Sequence, residues 1–168
     1  MTDETDSQSV TIASLVKRIE QLEGAEAVRS LHADFVRAVA DRQFDRLAAF
    51  FAPDAVIDMR THGVKQGEAA ISEHFSHMVN SPLSGAGYLL SSPVVSVHDG
   101  EANARWTWHR FHPEVFEGDG EFPAHGLWEE GQYTCSYRRG DDGSWRFSAM
   151  RFRIVRPIPD PEESPTAE

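Results

Sequence analysis

The sequence predicts an α+β fold, with helices packed on one face of a strongly bent antiparallel sheet that encloses one pocket. Three observations carry this. Apolar residues recur at helical spacing from Ile12 to Phe51. From Tyr88 to Arg156 the chain is strand-like, with long runs such as YLLSSPVVSV and RWTWHRF. Two turn signals, His98-Asp99-Gly100 and Gly140-Asp141-Asp142-Gly143, divide that second half into hairpins. Helices first and antiparallel strands afterwards place the helices together on one sheet face. The concavity between them is where a small molecule would bind.

The elements follow in order. Ile12, Leu15, Val16, Ile19 and Leu22 mark a helix over Ile12–Glu23, which Gly24 is placed to interrupt. Val28, Leu31, Phe35, Ala38 and Val39 continue it over Glu26–Arg42. Phe44, Leu47, Ala48 and Phe51 make a short helical piece, and a Pro53-Asp54 turn leads into a strand over Ala55–Arg60. Gly67 opens a helix over Glu68–Val79, with Ile71, Phe75 and Met78 as its stripe. After a loop at Ser81–Gly87, Tyr88–Val97 and Glu101–His112 form one hairpin, and Ala124–Arg139 and Ser144–Arg156 a second. Pro113–Pro123, rich in Gly and acids, is a long loop beside the pocket mouth. This gives one domain over 11–156, a disordered tail over 1–10 and an acidic, Pro-rich tail over 157–168. The strands are apolar at both parities, which predicts a convex face buried in a homodimer or higher homo-oligomer.

With 16 Lys and Arg against 27 Asp and Glu, the formal charge is −11. Such a chain is a poor partner for nucleic acid or an anionic membrane, since both need a basic face. A single cysteine, Cys135, excludes an intrachain disulfide and reads as a small buried hydrophobe in QYTCSYR. No apolar run spans a membrane and no basic-then-apolar leader is visible, so a soluble cytoplasmic protein is expected.

Eight histidines raise the question of a metal. No Cys pair or HExxH motif supports one, and His62, His74, His77 and His98 read as solvated or capping side chains. Strand alternation gives Trp106, Trp108, Arg110 and His112 one face, and His125, Glu129 and Tyr133 one face of the next strand. With Tyr88 opposite, the concave side would hold phenols, imidazoles and a guanidinium among aromatic rings. That suits a flat aromatic or polycyclic carbonyl compound, with Arg110 facing a carboxylate or enolate oxygen. The plainer alternatives are an Arg110 pairing with Glu129 or Glu130, tryptophans that pack the core, and tyrosine hydroxyls bonded to neighbours.

FDRLAAFFAPDAVIDM, GVKQGEAAISEHF, SSPVVSVHDGEANARWTW and DDGSWRFSAMRF together resemble the SnoaL-like branch of the nuclear transport factor 2-like superfamily, over roughly residues 15–156. That branch includes scytalone dehydratase, bile-acid dehydratases and polyketide cyclases. The resemblance implies a cystatin-like cone of helices on a curved, antiparallel or mixed sheet. It also implies cofactor-independent elimination, in which two histidines, an aspartate and tyrosines move protons. Placed without gaps on this chain, the family aspartate falls on Ala40, one residue before Asp41. The first-strand tyrosine falls on Met59, the first pocket histidine on Tyr88, the second on His112, and a polar fourth-strand position on Tyr133. Only His112 matches an acid-base residue by type.

These readings converge on a lyase of the dehydratase type, or an isomerase or cyclase, without metal, nucleotide or flavin. His112, Tyr88, Tyr133 and Asp41 are its catalytic candidates. Arg110, Trp108, Met59 and His125 are its binding candidates, and a hydrophobic, polyketide- or steroid-like small molecule is its partner. The alternative is a non-catalytic module that binds such a molecule.

Overall fold

The structure is a computed structural model. It describes the backbone of residues 2–59, 62–78, 88–112 and 127–156, and the side chains of 11–59, 62–78, 89–110 and 129–155. Helix α1 runs over Thr2–Ala40 and is followed by a 3-10 helix at Phe44–Phe50. Strands β1 (Phe51–Asp58) and β2 (Val64–Gln66), helix α2 (Glu68–His77), and strands β3 (Tyr88–His98), β4 (Glu101–His112), β5 (Leu127–Arg139) and β6 (Trp145–Arg156) complete the order. The six strands form one open sheet in the order β2-β1-β6-β5-β4-β3. All neighbours are antiparallel except β1 and β6, which run parallel, so the sheet is mixed. Register shifts within β3–β4, β5–β6 and β1–β6 are the bulges that bend such a sheet.

Alternation decides which residues face the helices. On β4, Ala102, Ala104, Trp106, Trp108 and Arg110 are buried, while Glu101, Asn103 and Arg105 are exposed. On β5, Glu129, Tyr133, Cys135 and Tyr137 are buried. The outward face of this central pair is therefore polar: Glu101, Asn103 and Arg105 on one strand, Gln132 and Thr134 on the other. The expectation of an apolar convex face is not met at this central pair; among the described residues the sheet shows large apolar groups to solvent at Val64 on β2, Leu89 and Val94 on β3, and Val155 on β6. Against the inner face α1 packs Val28, His32, Phe35 and Val39, and Phe35 meets Phe51, Phe75 and Phe147 edge-on.

Several local departures have physical causes. Gly24 does not break the helix. It lets α1 lie close on the sheet, since a Cβ there would come within 3.0 Å of Val97 and 3.2 Å of Trp145. Helix α1 already starts at Thr2, within the segment expected as a tail, while 157–168 lie outside the described residues. Pro53 and Asp54 do not form a turn; they sit inside β1 at its register shift against β6. Asp99 and Gly100, both at positive φ, form the expected tight hairpin turn.

Gly131 stands opposite Trp108 in the β4–β5 register. A Cβ there would collide with the Trp108 ring and the Arg153 carbonyl. Gly131→Ala should therefore cost about 1–3 kcal/mol by overpacking. The melting temperature should fall by about 2–4 °C for each kcal/mol. An unchanged thermal melt would mean that Trp108 is not held against this backbone.

Candidate active site

Two polar groups of residues lie on the inner face. The first is centred on His32, which is fully buried. Its Nδ1 shares a 2.7 Å hydrogen bond with the Tyr137 hydroxyl, which also accepts the indole N–H of Trp106 at 3.1 Å. The imidazole stacks on Trp106 with centroids 4.4 Å apart, and Tyr133 and Phe147 meet it edge-on. Its Nε2 finds no hydrogen-bond partner among the described residues. Burial lowers the His32 pKa to about 3, so the ring is neutral at physiological pH. Burial also raises the Tyr137 phenol and pushes the Cys135 thiol up to about 12, so neither ionises near neutrality. That suits the structural role expected of Cys135.

The second group is an ion pair. Arg110 donates to the Glu129 carboxylate directly across the β4–β5 register, and both side chains are buried. The guanidinium carbon lies 6.0 Å from the Trp108 ring centroid, and Trp108 stacks on Phe152 at 5.0 Å. For Arg110 the structure takes the plainer alternative, a pairing across the strands, and takes it with Glu129. Tyr133, four residues further along β5, is buried against His32 and Phe152. Both tryptophans are packed, Trp106 on His32 and Trp108 on Phe152.

The remaining candidates are placed as follows. In the backbone register Tyr88 pairs with Arg110, and His112 with Leu127, at the same end of the sheet. The side chains of Tyr88 and His112, and all of His125, lie outside the described residues. Met59 is half-buried at the end of β1. Ala40 is half-buried, whereas Asp41 is exposed in the turn that ends α1 and does not join the inner face. His74 is not solvated as expected. It is buried on α2 beside Phe75 and His62, and burial, with nearby His62, Lys65 and His77, lowers its pKa to about 4. Among the described residues no group of His, Cys, Asp or Glu could hold a metal ion. No described helix is long and apolar enough to cross a membrane.

The His32 cluster escaped the reading of the sequence, yet it left a signal. His32 follows Val28 by four residues and precedes Phe35 by three, so it occupies a core position of the α1 stripe. A polar residue in the phase of a buried stripe needs a partner, and Tyr137 supplies it.

Two consequences follow for stability. His32 is neutral in the folded chain down to about pH 3 but charges near pH 6.5 when unfolded. The stability that goes with the neutral ring is complete above pH 6.5 and is lost as pH falls towards 3. His32→Phe should flatten the pH dependence of unfolding free energy between about pH 6.5 and 4.5, by up to about 1.4 kcal/mol per pH unit. Denaturant titrations with equal slopes for both proteins would contradict the burial of a neutral imidazole. Glu129→Ala, which leaves the buried guanidinium without that carboxylate, should cost roughly 3–5 kcal/mol. Arg110→Met with Glu129→Leu should recover most of it, and no recovery would mean that the ion pair is not the source of the loss.

The chain is similar to known proteins over most of its length. It is 29% identical over 142 residues to an uncharacterized protein of Mycobacterium tuberculosis strain H37Rv, covering 84% of this chain and 87% of the other. A nuclear transport factor 2-like protein with a cystatin-like fold from Novosphingobium aromaticivorans superposes with a TM-score of 0.68 at 21% identity, over 85% and 89% of the two chains. A hexachlorocyclohexane dehydrochlorinase of Novosphingobium barchaimii superposes with a TM-score of 0.64 at 20% identity, over 83% and 97%. These likenesses carry the fold. The SnoaL-like domain matches residues 20–151, from the middle of α1 into β6, and the chain belongs to the SnoaL-like family.

Proposed function

We propose that the chain is a cofactor-independent lyase of the dehydratase type, or an isomerase or cyclase, acting on a hydrophobic aromatic or polycyclic carbonyl compound. The observation that carries this is the Arg110–Glu129 ion pair, buried beside Trp108 at one end of the sheet. Two buried charges are weak devices for stability, since apolar residues of the same volume serve as well. At the edge of an aromatic wall they hold a fixed positive group towards a bound oxygen. His112 lies two residues beyond Arg110 on β4, and alternation supports placing its imidazole on the same face. In this reading His112 takes the proton beside the carbonyl and returns it to the leaving group. Tyr88, Tyr133 and Arg110 orient the carbonyl and stabilise the enolate oxygen, and Trp108, Met59 and His125 contact the substrate body. A hexachlorocyclohexane dehydrochlorinase is among the proteins that share the fold. Assembly as a homodimer and a cytoplasmic setting belong to the same proposal.

A second reading has its own support. The family aspartate falls on Ala40, and Asp41 is exposed, so no acid from this turn reaches the inner face. A pocket without that acid fits a module that binds the same class of molecule without turning it over.

One experiment separates the two. Exchange of the α-hydrogen of aryl and polycyclic ketones into D2O is followed by NMR, and affinity for the same compounds by tryptophan fluorescence. His112→Ala should lower the exchange rate by roughly 10²–10⁴-fold with affinity and melting temperature retained. Binding without exchange in the unaltered protein supports the binding module, and exchange that survives the substitution removes His112 from the mechanism.

A further inference from the structure

The first part of α1 carries an apolar stripe that the fold does not use. Ile12, Leu15, Val16, Ile19 and Leu22 are 62%, 55%, 48%, 53% and 64% exposed. They do not lie beside the body of the protein. Lys17 pairs with Asp99 of the β3–β4 turn at 3.2 Å, and Gly24 abuts Val97 and Trp145. Lys17 and Gly24 are seven residues apart and mark the helix side that faces the domain. At roughly 100° per residue, the stripe falls on the opposite side. No other part of this chain's described structure covers it.

The spacing of the stripe identifies what fits it. Ile12, Leu15, Ile19 and Leu22 repeat at intervals of three, four and three, the a and d positions of two heptads. Ile stands at both a positions and Leu at both d positions, the combination that favours two parallel strands. In that register Lys17 and Gly24 take the f positions, farthest from the seam, which is why they meet the domain. Arg18 takes a g position and Glu23 the following e position. In a parallel pair each Arg18 therefore faces the Glu23 of the other strand, twice over by symmetry. An antiparallel pair offers Arg18 no such partner. Beyond Leu22 the same side becomes polar, with exposed Glu26, Ser30 and Arg37, so the seam ends where the domain begins.

We propose that residues 12–22 of α1 form a short parallel coiled coil with a second copy of this chain, holding two domains on opposite sides of the paired helices. This replaces the convex sheet face, whose centre is polar, as the dimer contact. Two heptads make a weak seam, so the dimer dissociates on dilution.

Sedimentation equilibrium from low to high micromolar concentration reads the assembly. The full chain should pass from its monomer mass of 18.8 kDa to twice that value. Ile19→Asp should raise the dissociation constant on the order of a hundredfold or more. Its near-ultraviolet circular dichroism should stay unchanged, because Ile19 points away from the core. Arg18→Glu should weaken the dimer by roughly three- to tenfold, and Arg18→Glu with Glu23→Arg should restore it. Ile19→Cys should cross-link to itself under mild oxidation, while the unaltered chain, with Cys135 buried, should not. A monomer at every concentration, a dimer that survives Ile19→Asp, or an Ile19→Cys dimer that does not cross-link each overturns the proposal.

Discussion

The packing of α1 against the inner face of β4 and β5 is the constraint on which the other elements depend. At its centre His32 lies flat on Trp106 and shares a hydrogen bond with Tyr137. The register that sets Trp106 against Tyr133 also sets Trp108 against Gly131 and Arg110 against Glu129. A one-residue slip of β5 would turn all of its inward residues to solvent, so the pairing is strongly specified. Gly131 lacks the Cβ that would strike the Trp108 ring, and Trp108 can then stack on Phe152.

This arrangement grades the inner face along its length. Around His32 the interior is closed, aromatic and electrically neutral, because burial removes the charge from the only imidazole there among the described residues. Four residues further along β4 and β5 from Trp106 and Tyr133, the interior keeps a full positive and a full negative charge at Arg110 and Glu129. A neutral, satisfied cluster serves the core. In the proposed function the charged pair serves recognition, since fixed dipoles and charges there need not reorganise when charge develops on a substrate. The proposed chemistry sits at this second region for that reason.

Much of the fold was legible because its signals are local. The Asp99-Gly100 turn, the alternation of Trp106, Trp108 and Arg110, and the phase of Val28, Phe35 and Val39 each follow from a few neighbouring residues. Two features depend on distant partners and read differently from the sequence alone, and a third, β2, has no signal of its own there. Gly24 reads as a helix break until Val97 and Trp145 are seen to need its missing side chain. Pro53-Asp54 reads as a turn until β6 is paired in parallel beside it. β2 is only three residues long and owes its existence to β1. In the site, Arg110 was open to a substrate oxygen, Glu129 or Glu130, and the register between strands sets it opposite Glu129. His32 was hidden by its own type, since a histidine in an apolar stripe looks like an interruption until Tyr137, far away in sequence, satisfies it.

The central claim is that the charged end of the inner face, and not the closed aromatic centre, receives a hydrophobic carbonyl compound. Backbone amide NMR shifts on titration with an aryl ketone test it most directly. The account predicts that the largest shifts fall on Trp108–His112, Glu129–Tyr133 and Met59. Shifts confined to the opposite end of the sheet, around His98–Asn103 and Arg138–Trp145, would contradict it.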